Sequence, residues 1–318
     1  MSNSYSTLSE LISLNDLNAR DNGITDLLNK APVLAKLYAT TSSNGTQHKY
    51  LKLTGAPTVG FRAVNTGKVF TTSGYTEVTV TLANLDATHI EDIAIAQSYR
   101  YGPEAFVEKE SISQLQQALF TFESQLWYGT TGGGSGSSTG FSGLMDNTNY
   151  STSSGALTVN AAGTTASTGS SVWFIRSTTD EKSMAAVIGN QGVISIGDTV
   201  VTYKPDDTTA TSGYPIYMTP ISAQLAIQIG GNYSAVRICN LTADSGHGLT
   251  DVLLSKALSL FPTDQQPTMV CMSRRSQQQL QASRTTYNPF GAPALWPTDY
   301  ESIPFVITDS ILNTEALV

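Results

Sequence analysis

In TADSGHGLTD, residues 242 to 251, the chain places Ser245, His247 and two carboxylates, Asp244 and Asp251, within one short span. Those residue types are the nucleophile, general base and orienting acid of acyl-transfer chemistry. A working triad draws its members from separate elements, so that each is held independently, and a strained turn such as GxSxG exposes the serine. Neither condition is met here. Gly246 and Gly248 are expected instead to shape a turn before a helix that starts near Leu249. The stretch TTGGGSGSSTGFSGL, residues 130 to 144, has the glycine density of a phosphate cradle. It follows a helical pattern rather than a strand, however, and contains no lysine to meet a phosphate.

Other reactive types are equally dispersed. His48, His89 and His247 have no metal-ligand spacing, and Cys239 and Cys271 sit in apolar runs without a CxxC pattern, as reduced buried thiols do. Asp180-Glu181 and Asp206-Asp207 lie in polar loops and are expected to be solvated turns rather than paired catalytic acids. Arg274, Arg275 and Arg284 crowd one late helix; they could meet phosphate, but ion pairing at a subunit or domain contact is the favoured expectation. No catalytic residue, cofactor or metal is expected.

The elements that would have to position any site are clearer. Residues 103–128 carry Ile112, Leu115, Leu119, Phe122 and Leu126 at steps of three and four, a single apolar stripe opened by Pro103 at a first helical position. Unbroken, that helix would run about 39 Å. Before it, residues 22–39 suggest two short helices interrupted at Pro32, and HKYLKLTG (48–55) and YTEVTVTL (75–82) alternate as the two limbs of an unusually long hairpin. After it come strand-like runs at 171–177, 192–197, 199–204, 214–219, 223–229 and 233–241. A helix at 249–261 stops at Pro262; the strand TMVCMS leads to a helix capped by Ser273, and SIPFVITDSI (302–311) is the last strand. The class is α+β.

At 318 residues the length allows two domains or one large one. Only 13% of residues are charged, against about 25% ordinarily. Ser, Thr, Asn, Gln and Gly fill the difference, as in proteins that cover themselves with copies or partners. The net charge of -8 opposes wrapping nucleic acid. The N-terminus lacks a basic, apolar signal pattern and no window approaches 18 apolar residues, so cytoplasmic folding without a membrane span is expected.

Charge is distributed unevenly. From Thr46 to Thr76 the hairpin carries Lys49, Lys52, Arg62 and Lys68 and no acid, whereas the long helix carries Glu104, Glu108, Glu110 and Glu123 against Lys109 alone. An acidic partner surface for the hairpin follows from that contrast. The glycine stretch is expected to reverse the chain at the helix end, with Phe141 and Leu144 re-anchored in the core.

This order of parts resembles the major capsid proteins of tailed bacteriophages. The detailed likeness rests on APVLAKL with GAPTVGFRAVNTG, LFTFESQLWYG with GFSGL, SVWFIRS, YSAVRICN, MVCMSRRSQQQL and IPFVITDSILNTEALV. Family members commonly carry an acid before the glycine of GFxGL, where this chain has Ser142. The resemblance implies the Hong Kong-type capsid fold: an N-terminal arm (1–45), an E-loop (46–85), a peripheral domain (86–170) with spine helix 103–128, a mainly axial domain (171–284) and a C-terminal segment returning to the peripheral domain (285–318). It implies hexamers and pentamers in an icosahedral virion shell around double-stranded DNA, assembled in the host cytoplasm. A separate scaffolding protein, a portal and a decoration protein are implied as partners. Candidate inter-subunit residues are Lys49, Lys52, Arg62, Lys68, Glu104, Glu108, Glu110, Glu123, Arg274 and Arg275, and Lys49, Lys52 and Lys68 are the candidates for the E-loop lysine that some related shells cross-link. Rival readings are an encapsulin-like nanocompartment shell and a sheet-rich tail or surface-layer protein.

Overall fold

The structure is a computed structural model that describes residues 28–130, 136–189, 195–205, 213–286 and 292–318. Its first described element is a 3-10 turn, Leu28–Lys30, followed by turns to Leu37. Of the two short helices expected over 22–39, residues 22–27 lie outside the described residues, and beyond Lys30 the described part has turns rather than an α-helix. Pro32 supplies no N–H, the Val33 and Leu34 amides take the Glu123 carboxylate as acceptor, and only Lys36 and Leu37 close a turn on the Val33 carbonyl.

Strands β1 (Ala39–Thr41), β2 (Gln47–Gly55), β3 (Gly74–Thr81), β4 (Ala83–Asp86) and β5 (His89–Asp92) precede a short helix, α1 (Ile93–Gln97). The long helix α2 spans Pro103–Tyr128, and a helical turn, α3 (Thr148–Ser151), follows it. Then come β6 (Thr158–Asn160), β7 (Ser170–Ile175), β8 (Met184–Ile188), β9 (Ser195–Ile196), β10 (Val200–Pro205), β11 (Gly213–Thr219), β12 (Ile221–Ile229) and β13 (Ala235–Leu241). The chain ends with α4 (Asp251–Leu258), β14 (Met269–Met272), α5 (Arg274–Thr286), β15 (Asp299–Tyr300) and β16 (Ile303–Ile307).

Four sheets result. One has the order β15-β16-β14-β7-β13-β6, a second runs β1-β8-β12-β4 with β9 beside β12, a third is β10-β11-β5, and β2-β3 is the hairpin. Segment 171–284 is thus divided, because β8 and β12 pair with β1 and β4 from before the long helix, while β7, β13 and β14 stay together. Strand β8, MAAVI, carries no alternation that would mark it in the sequence: Met184 to Val187 are all buried.

The core is continuous from the six-stranded sheet to the five-stranded one, and the end of α2 lies in it. Every residue from Phe122 to Tyr128 is buried, and the Trp127 ring stacks on Trp173 with centroids 5.9 Å apart. The first half of α2 is only partly covered: Ile112, Leu115 and Leu119 are of intermediate exposure. The expected apolar stripe is there, but half of it lines a surface.

Gly129 closes the helix at φ +59°, a conformation that suits glycine. A Cβ there would collide with Asp146 Oδ2 and Gly143 N, so the close approach also needs glycine. Beyond it the chain folds back onto the helix. Gln125 Nε2 donates to the Phe141 carbonyl at 2.7 Å, Gln125 Oε1 accepts from Ser137 N at 2.7 Å, and Phe141 is buried edge-on to Phe122. The Asp146 carboxylate accepts from Thr130 N and Gly143 N, at 2.7 and 2.9 Å. That carboxylate serves the GFSGL turn from three residues beyond Gly143, while Ser142 is exposed.

Candidate assembly surfaces

The hairpin is the outstanding projection. Its limbs pair from Gln47↔Thr81 to Gly55↔Gly74, with one irregularity after Leu53. At the root, His48 Nε2 bonds Gln228 Oε1 at 2.9 Å and Tyr50 OH donates to the Ile229 carbonyl at 3.0 Å, fixing β2 to β12. Residues 56–73 then form no strand or helix, and their apolar side chains stand in solvent. Val59 is 82% exposed, Phe61 110%, Val64 88% and Phe70 89%.

The hairpin's basic residues are partly engaged at home. Lys49 Nζ lies 2.8 Å from Glu77 Oε1 across the strand pair, so the acid just beyond the all-basic span supplies it with a partner in its own subunit. Arg62 Nη1 donates to the Thr66 carbonyl at 3.3 Å, and the Lys68 ammonium sits 6.0 Å from the Phe70 ring centroid. Lys52, on β2, is half-buried.

On α2, Glu104 and Glu108 are exposed and Glu110 is of intermediate exposure. Glu123 corrects the expectation: it is 0% exposed and takes no part in an acidic outer face. The wrapping of the last two turns by distant segments explains why. Its Oε2 accepts from Val33 N at 3.0 Å, and its Oε1 accepts from Ser310 Oγ at 2.6 Å and from Thr308 Oγ1. Burial pushes this carboxyl above its ordinary range, against the opposing pull of Ser310, Thr308 and the Val33 and Leu34 amides.

Of the arginines of α5, Arg275 turns inward while Arg274 stays exposed. Arg275 donates to the carbonyls of Asn313 at 3.0 Å, Thr168 at 2.6 Å and Leu241 at 3.3 Å, which corrects its role from subunit contact to internal tie. Arg274 lies over the Trp296 ring at 5.6 Å, and Arg284 pairs with Asp251 at 2.7 Å. Three distant carbonyls converging on one guanidinium are invisible in a helix pattern.

No triad assembles at 242–251. His247 Nδ1 faces the Ala161 carbonyl at 3.1 Å, Asp244 accepts from Thr165 and Thr242, and Asp251 is taken by Arg284. The Thr165 hydroxyl first, then Thr242, hold the Asp244 carboxyl below its usual range. Gly246, at φ +88°, shapes the turn. Among the described residues no group of three His, Cys, Asp or Glu side chains could hold a metal. Both cysteines are buried and free, and burial raises both thiols.

Two internal features escaped sequence reasoning. One is Glu123. The other is a buried pair, Arg237 Nη2 to Glu315 Oε2 at 3.1 Å, in which Glu315 also accepts from Tyr128 OH and Ser171 Oγ, and Arg237 donates to Ser171 Oγ and the Tyr150 carbonyl. Its only sequence signal is an arginine inside the apolar run YSAVRICN.

A cavity of about 170 Å³ lies between α2 and the five-stranded sheet, with walls formed by Leu34, Leu85, Leu115, Leu119, Ile188 and Leu225. The surfaces are therefore mechanical: a projecting hairpin, a half-covered helix and an apolar recess.

Comparison with known proteins gives the class. The structure of bacteriophage Epsilon15 is similar over 100% of this chain and 98% of that one, with a TM-score of 0.68 at 17% identity. The mixed α+β architecture is thus the Hong Kong-type capsid fold. The bacteriophage JBD30 capsid (12% identity, 96% and 99% coverage, TM-score 0.49) is also similar. So is the SrpI encapsulin of Synechococcus elongatus PCC 7942 (8%, 72% and 94%, TM-score 0.45). No curated protein matches. The sequence model of the family described as "Major capsid protein GP7" matches residues 16–318, and the chain belongs to that family. It is a major capsid protein of a tailed bacteriophage, a structural component of the virion capsid and not an enzyme.

Proposed function

We propose that copies of this chain close an icosahedral shell of hexamers and pentamers around double-stranded DNA, each laying its hairpin over a neighbour. The observation that carries this reading is the hairpin's exposed apolar tip on a root fixed by His48 and Tyr50. A monomer gains nothing from holding such a surface in water. In the family's terms the hairpin (46–85) is the E-loop, 103–128 the spine helix and 1–45 the N-terminal arm, most of which lies outside the described residues. Strand pairing favours assigning the six-stranded sheet with α4 and α5 to the axial domain. The sheet of β1, β4, β8 and β12 joins α2 in the peripheral domain, and 285–318 adds β15 and β16 to the axial sheet before Ser310 and Glu315 return to the end of the spine helix at Trp127 and Tyr128.

In this reading Lys52, Arg62 and Lys68 meet Glu104, Glu108 and Glu110 of the neighbour's helix, with Lys49 shared with Glu77 and Arg274 a further contact. Each exposed pair contributes about 0.2 to 1 kcal/mol, enough to set register while apolar contacts hold the shell. The net charge of -8 suits a container that does not grip phosphate. A separate scaffolding protein, a portal and a decoration protein complete the assembly; minor capsid protein trimers decorate the JBD30 capsid. Electron microscopy of the expressed protein tests the reading. Closed shells are expected, and tubes or flat arrays would overturn it.

A further inference from the structure

We propose that Phe61 of one copy seats in the apolar cavity between α2 and the five-stranded sheet of a second copy. This rests on the shell reading above and names the receptor that the reading leaves open. Phe61 is fully exposed and Phe70 nearly so. Phe70 already has the Lys68 ammonium over its ring, whereas Phe61 meets no ring or cation among the described residues. Burying a phenyl side chain is favourable, and the flanking Val59 and Val64, at 82% and 88% exposed, add to the demand for cover.

The cavity has the right size and chemistry. A recess of about 150 Å³ lined by Leu, Ile and Phe takes up benzene, and this one measures about 170 Å³ with leucine, isoleucine, alanine and phenylalanine walls. Its outer wall, Leu115 and Leu119, is partly exposed, so a ring can enter from outside the subunit.

The occupant must come from another copy. Leu85 in the cavity wall lies at the hairpin's root, while Phe61 lies beyond the far end of its limbs. Nine residues of β2 at about 3.3 Å each separate the two by roughly 30 Å while the strands stay paired. Charge supports the same docking. Arg62 follows Phe61 directly, and Glu108 precedes Leu115 by two helical turns on the same face, about 10 Å along the axis.

The test is a paired substitution, Phe61→Cys with Leu119→Cys, in assembled particles. Native Cys239 and Cys271 are both 0% exposed and do not compete. After mild oxidation, non-reducing denaturing electrophoresis should show a ladder in multiples of 33.8 kDa, with each single variant remaining a monomer band. Intact particles that give only the monomer band overturn the proposal. Phe61→Asp supplies a second reading, since a fully exposed side chain leaves the melting of unassembled subunits unchanged. Particle yield should fall at least about tenfold; an unchanged yield overturns the docking. Failure of the unsubstituted protein to form closed shells would instead refute the shell reading itself.

Discussion

Replacing Glu123 separates the two things its carboxylate does. In Glu123→Ala, the Val33 and Leu34 amides lose their acceptor inside the core, and neither can reorient. Each buried orphan donor costs about 1 to 3 kcal/mol, so with the space left by the side chain the loss should be about 3 to 5 kcal/mol. Glu123→Gln behaves differently. Its amide oxygen can face the two backbone amides while its NH2 group donates to the Thr308 and Ser310 hydroxyls, which rotate to accept. The cost should stay below about 1 kcal/mol. The pH dependence has a definite sign. Folding raises this carboxyl, so the folded state holds the proton more tightly. Its contribution is fully present below the unfolded value, about 4.3, and is lost as pH rises through the folded value. Urea denaturation of unassembled subunits, followed by tryptophan fluorescence, reads both effects, since Trp127 Nε1 donates to Ser310 Oγ at 2.8 Å. Relative to the wild type, Glu123→Gln should gain stability as pH rises above about 4.3, because the ionisation penalty is gone. Equal losses in the Ala and Gln variants, or a pH difference of opposite sign, would refute the reasoning.

Arg237→Ala leaves Glu315 buried without its cation and should cost about 3 to 5 kcal/mol in the same titration, whereas the double variant Arg237→Met with Glu315→Leu should cost less than that single one. Gly129→Ala forces φ +59° on an alanine and drives its Cβ into Gly143 N, so soluble yield should collapse, and removing the Asp146 carboxylate should not rescue it. His89 is 4% exposed, and burial lowers its pKa, so its contribution is present above about 6.5 and is lost as pH falls through the depressed folded value. His89→Gln should therefore be less sensitive than the wild type to acidification below about 6.5, measured as the shift of the thermal midpoint.

What local pattern dictates was legible. The 26 residues of α2, the hairpin limbs and the Ser273 boundary of the last helix follow from periodicity, Pro103 and capping chemistry. Phe141 was expected to return to the core after the glycine stretch, and it does so at 5% exposure. Long-range wrapping was not legible. Glu123 occupies a polar position of its helix, but Val33 and Thr308, 90 and 185 residues away, enclose it. Arg275 repeats the lesson with Thr168 and Leu241. The strand Met184–Ile188 is buried from Met184 to Val187, so the alternation that reveals half-exposed strands is missing. The hairpin's one-signed charge points to a partner surface, yet Glu77, the residue after Thr76, already pairs with Lys49.

The Arg237–Glu315 pair also orders events in time. Arg237 lies on β13, between β7 and the edge strand β6 of the six-stranded sheet, and its counter-charge is synthesised 78 residues later, beside a backbone bridge from Gly169 to Glu315. Until residues near 315 leave the ribosome, the sheet would enclose an uncompensated guanidinium, which a low-dielectric interior strongly disfavours. A nascent chain is thereby kept from closing its core, and from meeting its neighbours as a finished subunit, before synthesis has passed that glutamate.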